Sequence, residues 1–236
     1  MLFKLEVIKV MKMTGLVLTN FYMVYRSLII YMVGAIVTGA ILFMYIGDDT
    51  FFGIDAEFFV PRIIFLLSIL PAFEVLKVAA KSGYDKYVLT FPVRIGTIVK
   101  SQYIFLAFIT VVGIMVALGA LYIFSLLSWI SLDIILYQEV ISMFTIFILT
   151  GSVTFPLIYL FGTAKSDIFV LLTFFASYYV VGLISKAMQY IAGLMNINLH
   201  KFNILIGFSV IFILIGLLIY ILSYYCSVTI NKKKEF

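Results

Sequence analysis

Long apolar runs, separated by short polar stretches, dominate this sequence. A membrane-spanning helix needs about 20 mostly apolar residues, and six segments reach that length. The polar stretches between them are too short to form a separate folded domain. The six predicted spans are residues 27–46, 58–78, 102–124, 140–161, 168–185 (which could continue to 195) and 204–228. The pattern predicts an all-α, polytopic membrane protein in which residues 1–236 form a single transmembrane domain.

The composition supports that prediction and excludes other classes. The chain is 65% hydrophobic and 11% charged, whereas a soluble domain is about 45–50% apolar and about 25% charged. Its mean hydropathy is +1.23. A soluble enzyme and a nucleic-acid-binding domain are therefore excluded. Cys226 and His200 are the only residues of their kinds, so neither a disulfide framework nor a cysteine- or histidine-rich metal site is expected.

The Lys and Arg residues are distributed unequally between the two sides of the predicted spans. Thirteen of the 16 lie on one side and three on the other. Cytoplasmic loops carry an excess of Lys and Arg, so both termini are predicted to be cytoplasmic. The outer cations are Arg62, Lys186 and Lys201; the inner ones are Lys4, Lys9, Lys12, Arg26, Lys77, Lys81, Lys86, Arg94, Lys100, Lys165, Lys232, Lys233 and Lys234.

The N-terminal segment, residues 1–26, carries too many cations for a span. Its aromatic residues beside Arg26 favour an amphipathic helix lying at the membrane interface, and the alternative is a frayed polar start. Met11 and Met13 could also serve as translation starts, so it stays open whether residues 1–12 are native.

The second predicted span contains prolines and charges. Pro61 lies at the start of the span, where its missing N–H costs little, whereas Pro71 should kink or break the helix. Glu74 and Lys77 are three residues apart and can pair on one helical face, and Lys81 continues that face. Two interpretations stay open: the pair simply reaches the membrane interface, or the helix leaves the membrane and carries its charges into the cytosol.

Residues 77–100 form the longest predicted cytoplasmic connection. Tyr84, Tyr87, Val88 and Phe91 give an apolar face at helical spacing, and Pro92 should end that helix. A short amphipathic helix at this position could lie on lipid headgroups or dock into a groove on another protein. Composition alone does not choose between the two.

This connection, the residues that follow it and a segment near the N-terminus together carry a family resemblance. It lies in the runs Gly83-Tyr84-Asp85-Lys86-Tyr87, Leu89-Thr90-Phe91-Pro92-Val93-Arg94 and Ile98-Val99-Lys100-Ser101-Gln102-Tyr103, and in residues 15–22. These resemble small ABC-2 type permeases, and among them the permeases of staphylococcal phenol-soluble modulin exporters. The sequence departs from the family pattern in two details: Phe91 stands in place of the usual leucine, and no serine directly precedes Arg94.

The resemblance implies a fold and a set of partners. Such a chain is a six-helix membrane subunit of a bacterial cytoplasmic-membrane exporter, and two copies, identical or different, form the pathway. A separate ATPase binds ATP and Mg²⁺, so no cofactor is expected in this chain. An interior rich in Phe, Ile, Leu and Met suits an amphipathic cargo, so the expected substrates are amphipathic peptides, including secreted toxins, or other amphiphiles. The implied ATPase-coupling residues are Gly83, Tyr84, Asp85, Lys86, Tyr87, Phe91, Pro92 and Arg94. Independently of the resemblance, the spacing of Glu74, Lys77 and Lys81 predicts a charge relay along the second span.

Two other features concern packing and the outer face. Residues 185–203 mix polar and apolar positions, and the family resemblance implies re-entrant helices there; a plain interfacial loop is the alternative. The pairs Ala35/Gly39 and Gly113/Ala117 allow close helix approach. The hydroxyl residues Thr145, Thr150, Ser152 and Thr154, with Pro156 beyond them, suggest a kinked helix that faces either another helix or a transport pathway.

Catalytic motifs are missing from the sequence. Lys165-Ser166 lacks the glycines of a phosphate-binding loop, and Gly151-Ser152 has no nearby base to activate the serine. We therefore expect a non-catalytic chain. The alternatives to an exporter subunit are a channel-like protein and an immunity or regulatory membrane protein that works without an ATPase.

Overall fold

The structure, a computed structural model, describes residues 2–46, 50–51, 54–90, 93–127, 134–194 and 202–233. Within these ranges it is almost entirely helical. The elements are α1 (Leu2–Ile46), β1 (Thr50–Phe51), β2 (Ile54–Asp55), α2 (Ala56–Lys81), α3 (Tyr84–Leu89), α4 (Ile95–Leu126), α5 (Ile134–Phe161), a 3₁₀ turn (Thr163–Lys165), α6 (Ser166–Leu194) and α7 (Phe202–Lys233). Six of these helices are long and apolar enough to cross a membrane. The predicted polytopic, all-α class is confirmed.

Two antiparallel strands of two residues each, β1 and β2, lie between α1 and α2. Thr50 pairs with Asp55 and Phe51 with Ile54 in an antiparallel ladder. The hairpin directly precedes α2 and lies at the end of the bundle opposite α3.

The first helix differs from its predicted division at residue 26. α1 is continuous over 45 residues, so the N-terminal segment is not a separate interfacial helix. One buried stripe explains the continuity: Leu16 and Val24 before the expected boundary and Leu28 and Ala35 after it are all buried. Because these positions share one helical face, the same packing surface holds both parts in a single helix.

The core of the bundle is built around α2. Val60, Ile64, Phe65 and Ile69 of this helix are almost fully buried, and the helix packs against α1, α4 and α5. α2 continues through both of its prolines, so the predicted break at Pro71 does not occur. Most helical stability in proteins comes from tertiary packing, and Pro71 and its neighbours Ile69, Ala72 and Phe73 are all buried in the bundle.

Glycines allow the closest helix approaches. A Cβ added at Gly39 of α1 would lie 2.8 Å from Ile64 Cγ1 of α2, and one added at Gly113 of α4 would lie 2.9 Å from Ile69 Cγ1. Their predicted partners Ala35 and Ala117 are fully buried. The two small-residue pairs therefore are packing contacts, as predicted.

The hydroxyl residues of α5 also face neighbouring helices. Thr154 Oγ1 lies 2.6 Å from Thr173 Oγ1 of α6, and the carbonyl oxygen of Ser152 accepts a hydrogen bond from Ser223 of α7. Thr150 instead donates to the carbonyl of Ile146 in its own helix. The predicted facing surface on α5 is confirmed, and it packs on both α6 and α7.

The predicted re-entrant helices between the fifth and sixth spans are corrected for residues 185–194. These residues continue α6 without a turn as far as Leu194. The segment contains no proline, and its single glycine, Gly193, lies in the last turn, so no strong helix breaker precedes that turn. The remainder of the segment, residues 195–201, lies outside the described residues.

Gly39→Ala should destabilise the bundle by about 1–3 kcal/mol, because the new methyl group must displace the fully buried Ile64. The measurement is the midpoint of thermal unfolding in detergent. Gly34→Ala is the matched control on the same helix, since a Cβ at residue 34 meets no atom within 4 Å. Equal midpoints for the two variants would contradict the assigned contact.

Candidate functional site

The turn between α2 and α3 depends on a glycine. Gly83 adopts φ 72° and ψ 8°, in the left-handed region, where a residue with a Cβ is disfavoured by about 1–2 kcal/mol. The Ser82 amide donates to Val78 at 2.9 Å and the Gly83 amide to Ala80 at 3.2 Å, which closes the end of α2. The Tyr87 amide then donates to the Gly83 carbonyl at 3.1 Å and starts α3. The short helix is therefore joined tightly to the end of α2.

The inward face of α3 is anchored in the bundle. Val88 is only 3% exposed and packs with Leu16 of α1 and Ile98 of α4. Tyr84, one turn earlier, and Val93, in the exit from α3, cover this small cluster. Residues of α1 and α4 thus meet beneath α3.

The outward face of α3 carries Tyr87, which is 58% exposed. The sequence predicted that Tyr84, Tyr87 and Val88 share one face, but only Tyr84 and Val88 point inward. Successive helical residues are about 100° apart, so burying Val88 turns Tyr87 towards the surface. Thr90 ends the helix with its amide bound to the Tyr87 carbonyl at 3.0 Å.

The structure describes the other predicted coupling residues to different extents. Arg94 is exposed in an extended conformation and immediately precedes α4. Asp85 and Lys86 lie within α3, with their side chains outside the described part of the structure, and Phe91 and Pro92 lie outside the described residues altogether. We call the end of α2, the Gly83 turn and α3 together the elbow. Of the eight predicted residues, Gly83, Tyr84 and Tyr87 have described roles in its geometry.

Glu74 and Lys77 of α2 each contact a residue of another helix. Glu74 accepts a hydrogen bond from the Tyr31 hydroxyl of α1 at 3.2 Å. Lys77 forms an ion pair with Asp167 of α6. The predicted Glu74–Lys77 pair is thus replaced by two contacts between helices, because the fold brings the first turn of α6 beside α2. A carboxylate in the first turn of a helix is also favoured by the helix dipole. Lys81 is exposed at the end of α2.

A polar cavity of about 260 Å³ lies directly behind α3. Tyr84 and Val88 of α3 form part of its wall, and neutral polar side chains from five other elements line it. Asn20 donates to Ser101 at 3.4 Å, and the Tyr159 hydroxyl donates to the Gln102 side-chain oxygen. The polar lining members are Asn20, Ser101, Gln102, Tyr159, Thr163 and Asn231. Any shift of α3 would change the shape of this cavity.

A second group of contacts, not predicted from the sequence, ties α4 to α7. The Tyr103 hydroxyl lies 2.7 Å from both Ser223 Oγ and Ser227 Oγ. The Tyr220 hydroxyl donates to the Tyr103 carbonyl. The signal was present in the last span, where Tyr220, Ser223 and Ser227 recur at spacings of three and four on one helical face.

The bundle and its elbow define a class of protein: a polytopic membrane subunit with a short helix presented at one end. Comparison with protein families gives the family itself, because the profile described as ABC-2 family transporter protein matches residues 15–232. The chain belongs to this family and is a permease-type, multi-pass membrane protein. Neither the curated proteins nor the solved structures yield a match.

Val88→Ala should loosen α3 from the bundle, because it removes two methyl groups from a contact that involves three helices. Loss of about 1–2 kcal/mol of local packing would speed amide hydrogen exchange in residues 84–90 by about tenfold. Hydrogen exchange measured by mass spectrometry on the detergent-purified chain gives the rate. Tyr87→Ala, on the exposed face of the same helix, should leave the exchange nearly unchanged; loosening by both variants alike would show that α3 is not held by its inward face.

Proposed function

We propose that this chain is the permease subunit of an ATP-driven ABC-2 exporter and that α3 is the surface on which the ATPase docks. The observation that carries the proposal is the two-sided character of α3. Its inward face is anchored by Val88, and its outward face presents Tyr87 at the end of the bundle. Membership of the ABC-2 transporter family implies an ATPase partner, and an aromatic side chain on a short, anchored helix fits a groove on such a partner.

The connections of α2 support a route for the motion. The Gly83 turn joins α3 tightly to α2, and α2 in turn contacts α1 through Glu74 and α6 through Lys77. A displacement of α3 would therefore move α2 and redistribute contacts with two further helices. Rigid-body movement of packed helices is a common form of switching in proteins.

The remaining parts of the proposal concern the assembly and its cargo. ATP and Mg²⁺ would bind to the partner ATPase, with the permease as a non-catalytic subunit. Large apolar side chains are exposed along α1, α6 and α7, and these faces would meet lipid and a second permease copy. An amphipathic peptide or another amphiphile suits a pathway between helices so rich in Phe, Ile and Leu.

The docking surface is testable by substitution. Tyr87→Asp should abolish co-purification of the chain with its ATPase, because a charge replaces the outward aromatic side chain. Tyr190→Asp is the control, since Tyr190 is also highly exposed but lies near the end of α6 that is remote from α3. The readout is the amount of ATPase retained on the tagged permease after detergent extraction.

The result also separates the exporter from the alternatives. Retention of a stoichiometric ATPase by the Tyr87→Asp variant would refute docking through α3. Failure of the wild-type chain to bind any ATPase would favour a channel-like or immunity protein instead.

The proposed orientation places the α3 end in the cytoplasm of a bacterial cell, with both termini on that side. Its support is the 13 to three division of Lys and Arg. In a Cys226→Ser background, Thr90→Cys should react with a membrane-impermeant maleimide only after the cells are opened. Tyr190→Cys should react in intact cells. Both positions are exposed, so the reverse pattern would invert the topology.

A further inference from the structure

A cleft of about 420 Å³ opens at the end of the bundle opposite α3, between α2, α5 and α6. Its polar lining includes Arg62 of α2, Tyr178 and Lys186 of α6, and the hydroxyls of Ser142 and Ser185. Its floor is apolar, with Met143, Ile146 and Val181 all buried. Cations and hydroxyl groups beside an apolar floor suit a ligand with an anionic head and a hydrocarbon tail.

The charge of the cleft is unusual for its side of the protein. Only three of the 16 cations lie on this side of the predicted spans, and Arg62 and Lys186 are two of them. Both line the same cleft, although they are 124 residues apart. Among the described residues that line it there is no acid. The fold thus concentrates positive charge where the sequence has very little.

The side chain of Arg62 is held in place within this cleft. One guanidinium nitrogen donates to the Tyr178 hydroxyl at 3.0 Å, and the guanidinium carbon lies 5.9 Å from the centre of the Tyr178 ring. A guanidinium fixed in this way loses little freedom when it binds an anion, and its planar fork suits phosphate oxygens.

The depth of the two cations indicates the source of the anion. Arg62 lies four residues after the start of the predicted span 58–78, and Lys186 directly follows the predicted span 168–185. Both positions are within about one helical turn of the end of a span, which is the level of lipid headgroups. The apolar floor continues from there towards the interior of the membrane.

We infer that this cleft binds an anionic phospholipid, with the phosphate between Arg62 and Lys186 and part of an acyl chain against Met143, Ile146 and Val181. The inference does not depend on the proposed ATPase partner. A bound lipid at this position would link α2, the helix joined to α3, with α5 and α6 at the opposite end of the bundle.

The test is a lipid titration of the detergent-purified chain, with the first bound lipid counted by native mass spectrometry. Phosphatidylglycerol, which carries a net negative charge, should bind at least about tenfold more tightly than phosphatidylcholine, because the quaternary ammonium of choline offsets the attraction of its phosphate to the two cations. Arg62→Gln and Lys186→Gln should each remove most of this preference. Lys186 is exposed, so Lys186→Gln should keep the fold. It therefore tests the site even if Arg62→Gln does not fold.

Arg26→Gln is the matched control, because Arg26 has the same local chemistry outside any described cleft. It donates to the Tyr25 hydroxyl at 2.9 Å, and its guanidinium carbon lies 5.7 Å from the Tyr25 ring centre. This variant should keep the full preference for phosphatidylglycerol. An equal loss in Arg26→Gln and Arg62→Gln would show general charge attraction and would overturn the site.

Two further experiments test whether the cleft binds the acyl chain of the lipid and whether a free phosphate compound can replace the lipid. Gly182 lines the cleft, and a Cβ there meets no atom within 4 Å. Gly182→Phe should therefore fill the cleft and abolish tight lipid binding while both cations remain. Soluble glycerol phosphate should compete only weakly. Competition as strong as the lipid's own binding, or full binding by Gly182→Phe, would show that no amphiphile occupies the cleft.

Discussion

The close contact of α2 with α1 and α4 is the interaction on which the rest of this structure depends. Lipid is as apolar as the helices, so no hydrophobic force drives them together in a membrane, and close packing has to supply the attraction. Gly39 and Gly113 provide it by letting Ile64 and Ile69 approach the neighbouring backbones. With α2 fixed in this way, its two ends lie in defined positions relative to every helix around it.

The polar groups of the protein are arranged around those two ends. At one end, Lys77 and the Gly83 turn connect α2 to α6 and α3, and a neutral polar cavity lies behind the elbow. At the other end, Arg62 reaches Tyr178 beside an apolar-floored cleft. The middle of α2 is occupied by buried apolar side chains. A movement at one end would therefore be carried through α2 by packing, without breaking charge pairs in the membrane interior.

The sequence predicts the number and order of the spans because each one needs a long apolar run that no other fold class would contain. The span ends are predicted less well. α4 begins at Ile95, seven residues before the predicted start at 102, because a helix can continue past the apolar region wherever its backbone stays paired. The boundary expected at residue 26 is absent for a similar reason: the buried stripe of α1 continues across it.

Side-chain contacts between helices were the part of the site that the local sequence pattern could not predict. Glu74 and Lys77 are suitably spaced to bind each other, yet Tyr31 and Asp167 are their partners. Asp167 is 90 residues from Lys77, and only the packing of α6 beside α2 brings it near. The same applies to Arg62 and Lys186, which belong to different spans. By contrast, the position of α3 was predicted from apolar residues at helical spacing, because that pattern is local to the segment.

The unbroken length of α1 has a mechanical consequence. Its 45 residues correspond to a rod of about 67 Å, more than twice the thickness of the hydrocarbon core of a bilayer. The rod passes under α3 at Leu16 and extends beyond it. A tilt of 1° about its far end would move its first turn by about 1 Å. A tilt too small to disturb helix packing in the membrane would thus displace the first turn of α1 by an atomic distance. The length of α1 therefore amplifies small changes in its tilt.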